Sequence, residues 1–273
     1  MPDILQFFTE DKTTYSQQGI IMYSFDEKKS NNFLASVVDF YRRAYISDEK
    51  LQKNIDGMGT SRKEEISKKI PTEPIIKSGE FGEILSYLLF TSLNPDYNVK
   101  PLRWRWKEDK DRAVHFSDIM LLSCPDKDNP QPTDKTMTVE VKTRATRPGK
   151  SDSSINDAIG GALNDSVERN AKTLTFLLER FEDDEQYDLA KIVLRFQDAV
   201  AHPYQSQHNA IAIVDTNYFA SYHIGNLNAQ LIDKVKTFNR SNAASNRKIS
   251  VFVIPFADLK SKYENLYKAI PNS

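Results

Sequence analysis

Met137-Thr138-Val139-Glu140-Val141-Lys142-Thr143 is the stretch whose reading decides the fold. Val139 and Val141 alternate with Thr138, Glu140 and Lys142, which is the period of two expected of a half-buried β-strand built from β-branched residues. Residues two apart on a strand share a face, so Glu140 and Lys142 point the same way. Such a pair is either a surface ion pair, worth at most about 1 kcal/mol, or half of a metal-dependent phosphodiesterase site. The Glu-x-Lys spacing also occurs at Glu10/Lys12, Glu27/Lys29 and Glu108/Lys110, but in polar, charge-rich surroundings. Only the Glu140 copy lies in a strand pattern.

Upstream, Val114-His115-Phe116-Ser117-Asp118-Ile119-Met120-Leu121-Leu122 reads as a second strand with one acid, Asp118. An unpaired buried carboxylate costs several kcal/mol, so Asp118 requires a cationic partner or a metal. Pro125 to Thr136 is the loop joining the two strands. Together they bring Asp118, Glu140 and Lys142 to one edge.

The helix Ser78 to Leu89 precedes them. Phe81, Ile84, Leu85, Leu88 and Leu89 form one apolar stripe. Ser78 is its expected cap, and Glu80 and Glu83 either serve the positive end of the helix dipole or reach the site from the side. Glu83, bordering the stripe, is the first choice for the helical acid and Glu80 the second. Val99 to Lys107 alternates again. Trp104 and Trp106 share one face, Arg103 and Arg105 the other, which is solvated or lies against phosphates. The basic loop Thr143-Arg144-Ala145-Thr146-Arg147-Pro148-Gly149-Lys150 follows Lys142. Arg103, Arg105, Arg144, Arg147 and Lys150 are thus the candidate DNA contacts.

Beyond it, residues 154–181 read as a long helix with a kink or break at Gly160-Gly161, and 185–201 as a second helix. Ala210-Ile211-Ala212-Ile213-Val214 and Ile249-Ser250-Val251-Phe252-Val253-Ile254 read as buried strands, flanked by helices near 227–238 and 257–269. At the N-terminus, Gly19 to Phe25 is one strand. Asn31 or Asn32 caps a helix whose aromatic face is core. Residues 48–74, rich in charge, Gly and Ser, are a loop or short exposed helix. The expected organisation is an N-terminal extension, 1–74, and an α/β domain, 75–273, with a central mixed sheet flanked by helices.

The 273 residues are 39% hydrophobic, enough for a full core. The net charge of −1 gives no global nucleic-acid signature. Its distribution is uneven. Residues 101–150 hold eleven Lys/Arg against eight Asp/Glu, and 151–200 hold five against eleven. The basic part suits a phosphate backbone; the acidic part faces solvent or a protein partner. The single Cys124 excludes an internal disulfide. The first residues lack signal-peptide features, and no apolar run reaches the roughly 20 residues of a membrane span. A cytoplasmic protein is expected. The four histidines show no metal-ligand spacing, and no phosphate loop of the Walker type or Gly-x-Ser-x-Gly occurs.

Phosphodiester hydrolysis needs an activated water and neutralised charge at the phosphate. Hard ions such as Mg²⁺ or Mn²⁺ are held by one or two carboxylates. Asp118 and Glu140 would supply them. Lys142 would orient the water, stabilise developing charge or act as a base.

Gly79-Glu80-Phe81-Gly82-Glu83, Ser117-Asp118 and Glu140-Val141-Lys142 resemble the PD-(D/E)XK nuclease superfamily, with Ser117 in place of its proline. The resemblance spans roughly residues 78–143. It implies Glu83 as a third metal ligand beside Asp118 and Glu140. The Ser-Gly-Glu-Phe-Gly-Glu-Ile-Leu helix, His115-Phe116-Ser117-Asp118 and Val139-Glu140-Val141-Lys142-Thr143 are similar to the HamA family, effector nucleases of Hachiman anti-phage defence. That resemblance implies DNA as substrate and a helicase partner, HamB. A non-catalytic interaction module that keeps a nuclease fold, and a restriction endonuclease, are the competing readings.

Overall fold

The structure is a computed structural model that describes residues 2–114, 116–245 and 247–273. Its centre is a six-stranded mixed sheet. Strands β1 (Phe8–Asp11), β2 (Ile20–Phe25), β3 (Ile119–Ser123), β4 (Lys135–Arg144), β5 (Gln205–Asp215) and β6 (Arg247–Phe256) lie in the order β1-β2-β6-β5-β4-β3. The four inner strands β2, β6, β5 and β4 run parallel, and β1 and β3 pair antiparallel at the edges. Parallel strands need cover on both faces, and β5 is accordingly buried from His208 to Asp215.

One face carries Val139, Val141, Ile211, Ile213 and Ile254 into a core shared with α1 (Ser30–Tyr45), α4 (Pro74–Leu93) and α10 (Leu259–Ala269). On α4 the stripe Phe81, Ile84, Leu85, Leu88 is fully buried, each side chain contributing about 1.5–3 kcal/mol of apolar burial. The opposite face carries Ala210, Ala212, Val214, Val251 and Val253 against α5 (Ser154–Asn164) and α9 (Ala229–Ser241). A third cluster joins Met120 and Leu122 of β3 to α6 (Asn170–Asp183) and α7 (Tyr187–Gln197).

Several expectations are corrected. β4 is not half-buried: Thr136 to Val141 are buried on both sides, because helices cover both faces of this inner strand, and toward its C-terminal end the strand opens at Lys142. α4 begins at Pro74 rather than Ser78, with proline in the first turn, where its missing N–H costs nothing. Glu80 and Glu83 therefore lie beyond the first turn, out of reach of a dipole role. β3 begins at Ile119, not Val114. Phe116 has φ 74°, a left-handed backbone that a strand does not accept, and His115 lies outside the described residues. Residues 103–106 form a 3₁₀ turn instead of a strand. In the region 48–74 the helical reading holds over the loop, with two helices rather than one, α2 (Asp48–Met58) and α3 (Arg62–Ser67). The expected boundary at 74 falls at the start of α4, while β2 pairs with β6 and α1 shares the main core. The long helix after β4 does not break at Gly160-Gly161 but at a π-turn, Asp165–Arg169, between α5 and α6. After β5, one turn, α8 (Thr216–Tyr218), leads through a second π-turn toward α9. No helix among the described residues is long and apolar enough to cross a membrane.

Candidate active site

The site forms where β4 outruns β3. The last ladder partner of β3 is Ile119, opposite Val139. The Val141 N–H therefore has no strand opposite, and a buried N–H needs an acceptor. The Asp118 Oδ2 supplies it at 2.8 Å. Asp118 thus sits just before β3 rather than within it, aimed at the Glu140–Lys142 segment by a backbone hydrogen bond.

Glu140 projects from the α5 face of the sheet and is 3% exposed. Its Oε1 accepts from Lys142 Nζ at 2.7 Å and its Oε2 from Arg169 Nη1 at 3.0 Å. Gly161 of α5 lies directly over it: a Cβ there would stand 2.3 Å from Glu140 Cγ and Cδ. This contact, rather than a helix break, accounts for a glycine at that position. Lys142, 40% exposed at its side chain, faces outward from the pair. Burial lowers the affinity of its amine for the proton, but the Glu140 carboxylate beside it outweighs this, and its pKa lies above the usual lysine value. Lys142 is therefore a cation at neutral pH, suited to orienting water and countering charge rather than to accepting a proton.

Asp118 is pushed up to about 8 by burial first, then by the Glu83 and Glu140 carboxylates. Glu83 on α4 is raised mainly by burial, and the Trp104 indole donates to its Oε2 at 2.9 Å. Glu80, one turn earlier, is committed elsewhere. It pairs with the buried Lys107 and accepts from Tyr45 Oη at 2.8 Å. Of the two helical acids, Glu83 is the one whose charge acts on Asp118.

Sequence reasoning missed two residues of the centre, Arg169 and Asp165. Arg169 also donates to the Phe116 carbonyl at 2.6 Å, and its Nε lies 3.3 Å from Asp165 Oδ1. Asp165 is fully buried and accepts from Ser117 Oγ at 2.9 Å; burial drives it up to about 7 despite Arg169. No spacing in the sequence announces these contacts, which span 29 and 48 residues. The one local signal is the i, i+4 pair Asp165/Arg169.

The candidate DNA contacts divide. Arg103 is buried, and its guanidinium donates to the Val114 carbonyl, so the basic strand face expected there does not exist. Arg105 donates to the Arg43 carbonyl at 3.0 and 2.8 Å. Arg144 ends β4, and Arg147 and Lys150 follow in the loop beyond it. Arg144 approaches Asp152 at 3.7 Å, Arg147 donates to Tyr222 Oη at 2.7 Å, and Lys150 is exposed. His208 and His223 are buried and pushed down to about 4, so neither is charged at neutral pH.

Among the described residues, no group of three or more His, Cys, Asp or Glu side chains stands ready to hold a metal. The donor chemistry nevertheless suits a hard divalent ion. Asp118 and Glu140 are oxygen donors, and a cation between carboxylates would offset both the burial and the neighbouring negative charge that raise Asp118.

A mixed α/β sheet flanked by helices, with acids and a lysine gathered at the end of an inner strand, defines the class: an α/β protein of nuclease-like fold. The chain belongs to the HamA family, whose sequence profile matches residues 2–270. Membership points to a component of Hachiman anti-phage defence. No curated protein matches the chain.

Proposed function

We propose that this protein is a metal-dependent DNA nuclease, the effector of its defence system, acting with a helicase subunit. The observation that carries this reading is the meeting of Asp118, Glu140 and Lys142 where β4 outruns β3. Asp118 and Glu140, with Glu83 behind them, would hold Mg²⁺ or Mn²⁺. Such an ion, when bound, supplies Lewis acidity and a lowered water pKa. Glu140 fixes the Lys142 ammonium by an ion pair, leaving its other hydrogens for a water or a phosphate oxygen. Asp118 is fixed by the Val141 N–H. Arg144 at the end of β4, and Arg147 and Lys150 in the loop after it, offer positive charge next to this centre.

The test is incubation of plasmid with purified protein, with and without the helicase subunit, in Mg²⁺ or EDTA. Wild type should cleave only with Mg²⁺; Glu140→Gln and Lys142→Ala should each abolish most cleavage while leaving fold and partner binding intact. The double variant should be little worse than either single one, because groups acting as a unit are non-additive. Full activity in a folded Glu140→Gln variant would sink the assignment. Partner binding without Mg²⁺-dependent cleavage in wild type would mark a non-catalytic module instead.

A further inference from the structure

Arg169 sits in a π-turn, a local irregularity that recurs at functional positions because it redirects one side chain out of helical register. Here the redirected guanidinium has three acceptors. It reaches Glu140 Oε2 at 3.0 Å, the Phe116 carbonyl at 2.6 Å and Asp165 Oδ1 at 3.3 Å. Phe116 lies two residues before Asp118 and holds a left-handed backbone. One side chain therefore ties the acid of β4 to the loop that carries the other acid. It also places a fixed positive charge against Glu140, whose other oxygen already holds Lys142. Asp165, buried and bonded to Ser117 and Arg169, anchors the guanidinium from behind. An arginine suits this task where a lysine would not, since its planar fork engages separate acceptors in fixed directions.

We propose that Arg169 is a positioning residue with two separable effects: its tether to Phe116 and Glu140 sets the relative placement of Asp118 and Glu140, and its charge opposes entry of a divalent cation at Glu140. The proposal rests on the nuclease reading for its cleavage arm, but its cation arm does not require cleavage. Removing the charge should make cation binding tighter while removing the tether makes cleavage slower. A residue that only supports the fold would lower both together.

The experiment titrates Mn²⁺ into metal-stripped full-length protein by calorimetry and measures plasmid cleavage in parallel. Arg169→Gln should bind Mn²⁺ about tenfold or more tighter than wild type, the scale of one unit charge acting over a few ångström of partly hydrated protein. Its cleavage should fall at least about tenfold. Arg169→Lys keeps the charge and loses the fork, so it should not share the tighter Mn²⁺ binding of Arg169→Gln, while its cleavage falls. Unchanged or weaker Mn²⁺ binding in folded Arg169→Gln overturns the charge effect. Wild-type cleavage by Arg169→Lys overturns the tether. Wild type that binds Mn²⁺ without cleaving DNA would defeat the nuclease reading and leave the calorimetric comparison intact.

Discussion

Asp118→Asn should stabilise the metal-free protein at alkaline pH while abolishing its proposed activity. In the unfolded chain Asp118 ionises near the ordinary value of 3.8; in the folded protein it does so at about 8. Between these values the native state keeps a proton that the unfolded state has released. Stability therefore falls as pH rises from about 4 to about 8, and above that the penalty is complete. Four pH units at 1.36 kcal/mol each set an upper bound of about 5–6 kcal/mol. Asparagine keeps an oxygen for the Val141 N–H but buries an NH₂ that needs its own acceptor, at about 1–3 kcal/mol. The expected net gain is at most about 2–5 kcal/mol above pH 8, and there is a loss near pH 5, where wild-type Asp118 is already neutral. Urea denaturation in EDTA at pH 5 and pH 8.5 reads this directly. Added Mg²⁺ should raise the stability of wild type at the higher pH and do little for the variant. An Asp118→Asn variant equally destabilised at both pH values would refute the argument that burial and the neighbouring carboxylates hold a proton on Asp118.

Other substitutions separate fold from chemistry. Gly161→Ala places a methyl 2.3 Å from Glu140 Cγ and Cδ; it should cost about 1–3 kcal/mol and reduce cleavage by displacing the carboxylate, as melting curves and plasmid assays would show. Glu80→Gln strips the partner from a lysine only 4% exposed and should destabilise by about 3–5 kcal/mol, whereas Glu83→Gln should lower cleavage with little loss of stability; the reverse pattern would exchange their roles. Charge reversals at Asp183, Asp184 and Glu185, on the exposed α6–α7 corner, should weaken binding of the helicase subunit or raise unregulated cleavage, and unchanged affinity and basal activity would remove that surface from consideration.

Local sequence determined the elements whose periodicity is strong. β-Branched alternation marked β4, with Glu140 and Lys142 on one face, and the stripe from Phe81 to Leu89 marked α4. The apolar runs at 210–214 and 249–254 marked β5 and β6, because strands covered on both faces admit almost no polar residue. Tertiary structure decided what depends on partners distant in sequence. The Arg/Trp alternation at 103–106 imitates a strand, yet Trp104 turns to Glu83 and Arg103 to the Val114 carbonyl, contacts that a 3₁₀ turn satisfies and a strand would not. β1, four residues long and polar at Thr9, Glu10 and Asp11, exists because β2 offers it an edge. Asp118 lies outside β3 because an unpaired N–H on β4 needed its carboxylate. Arg169 entered the site because a buried glutamate at the end of an inner strand draws compensating charge from whatever element packs above it, and only the fold decides which element that is.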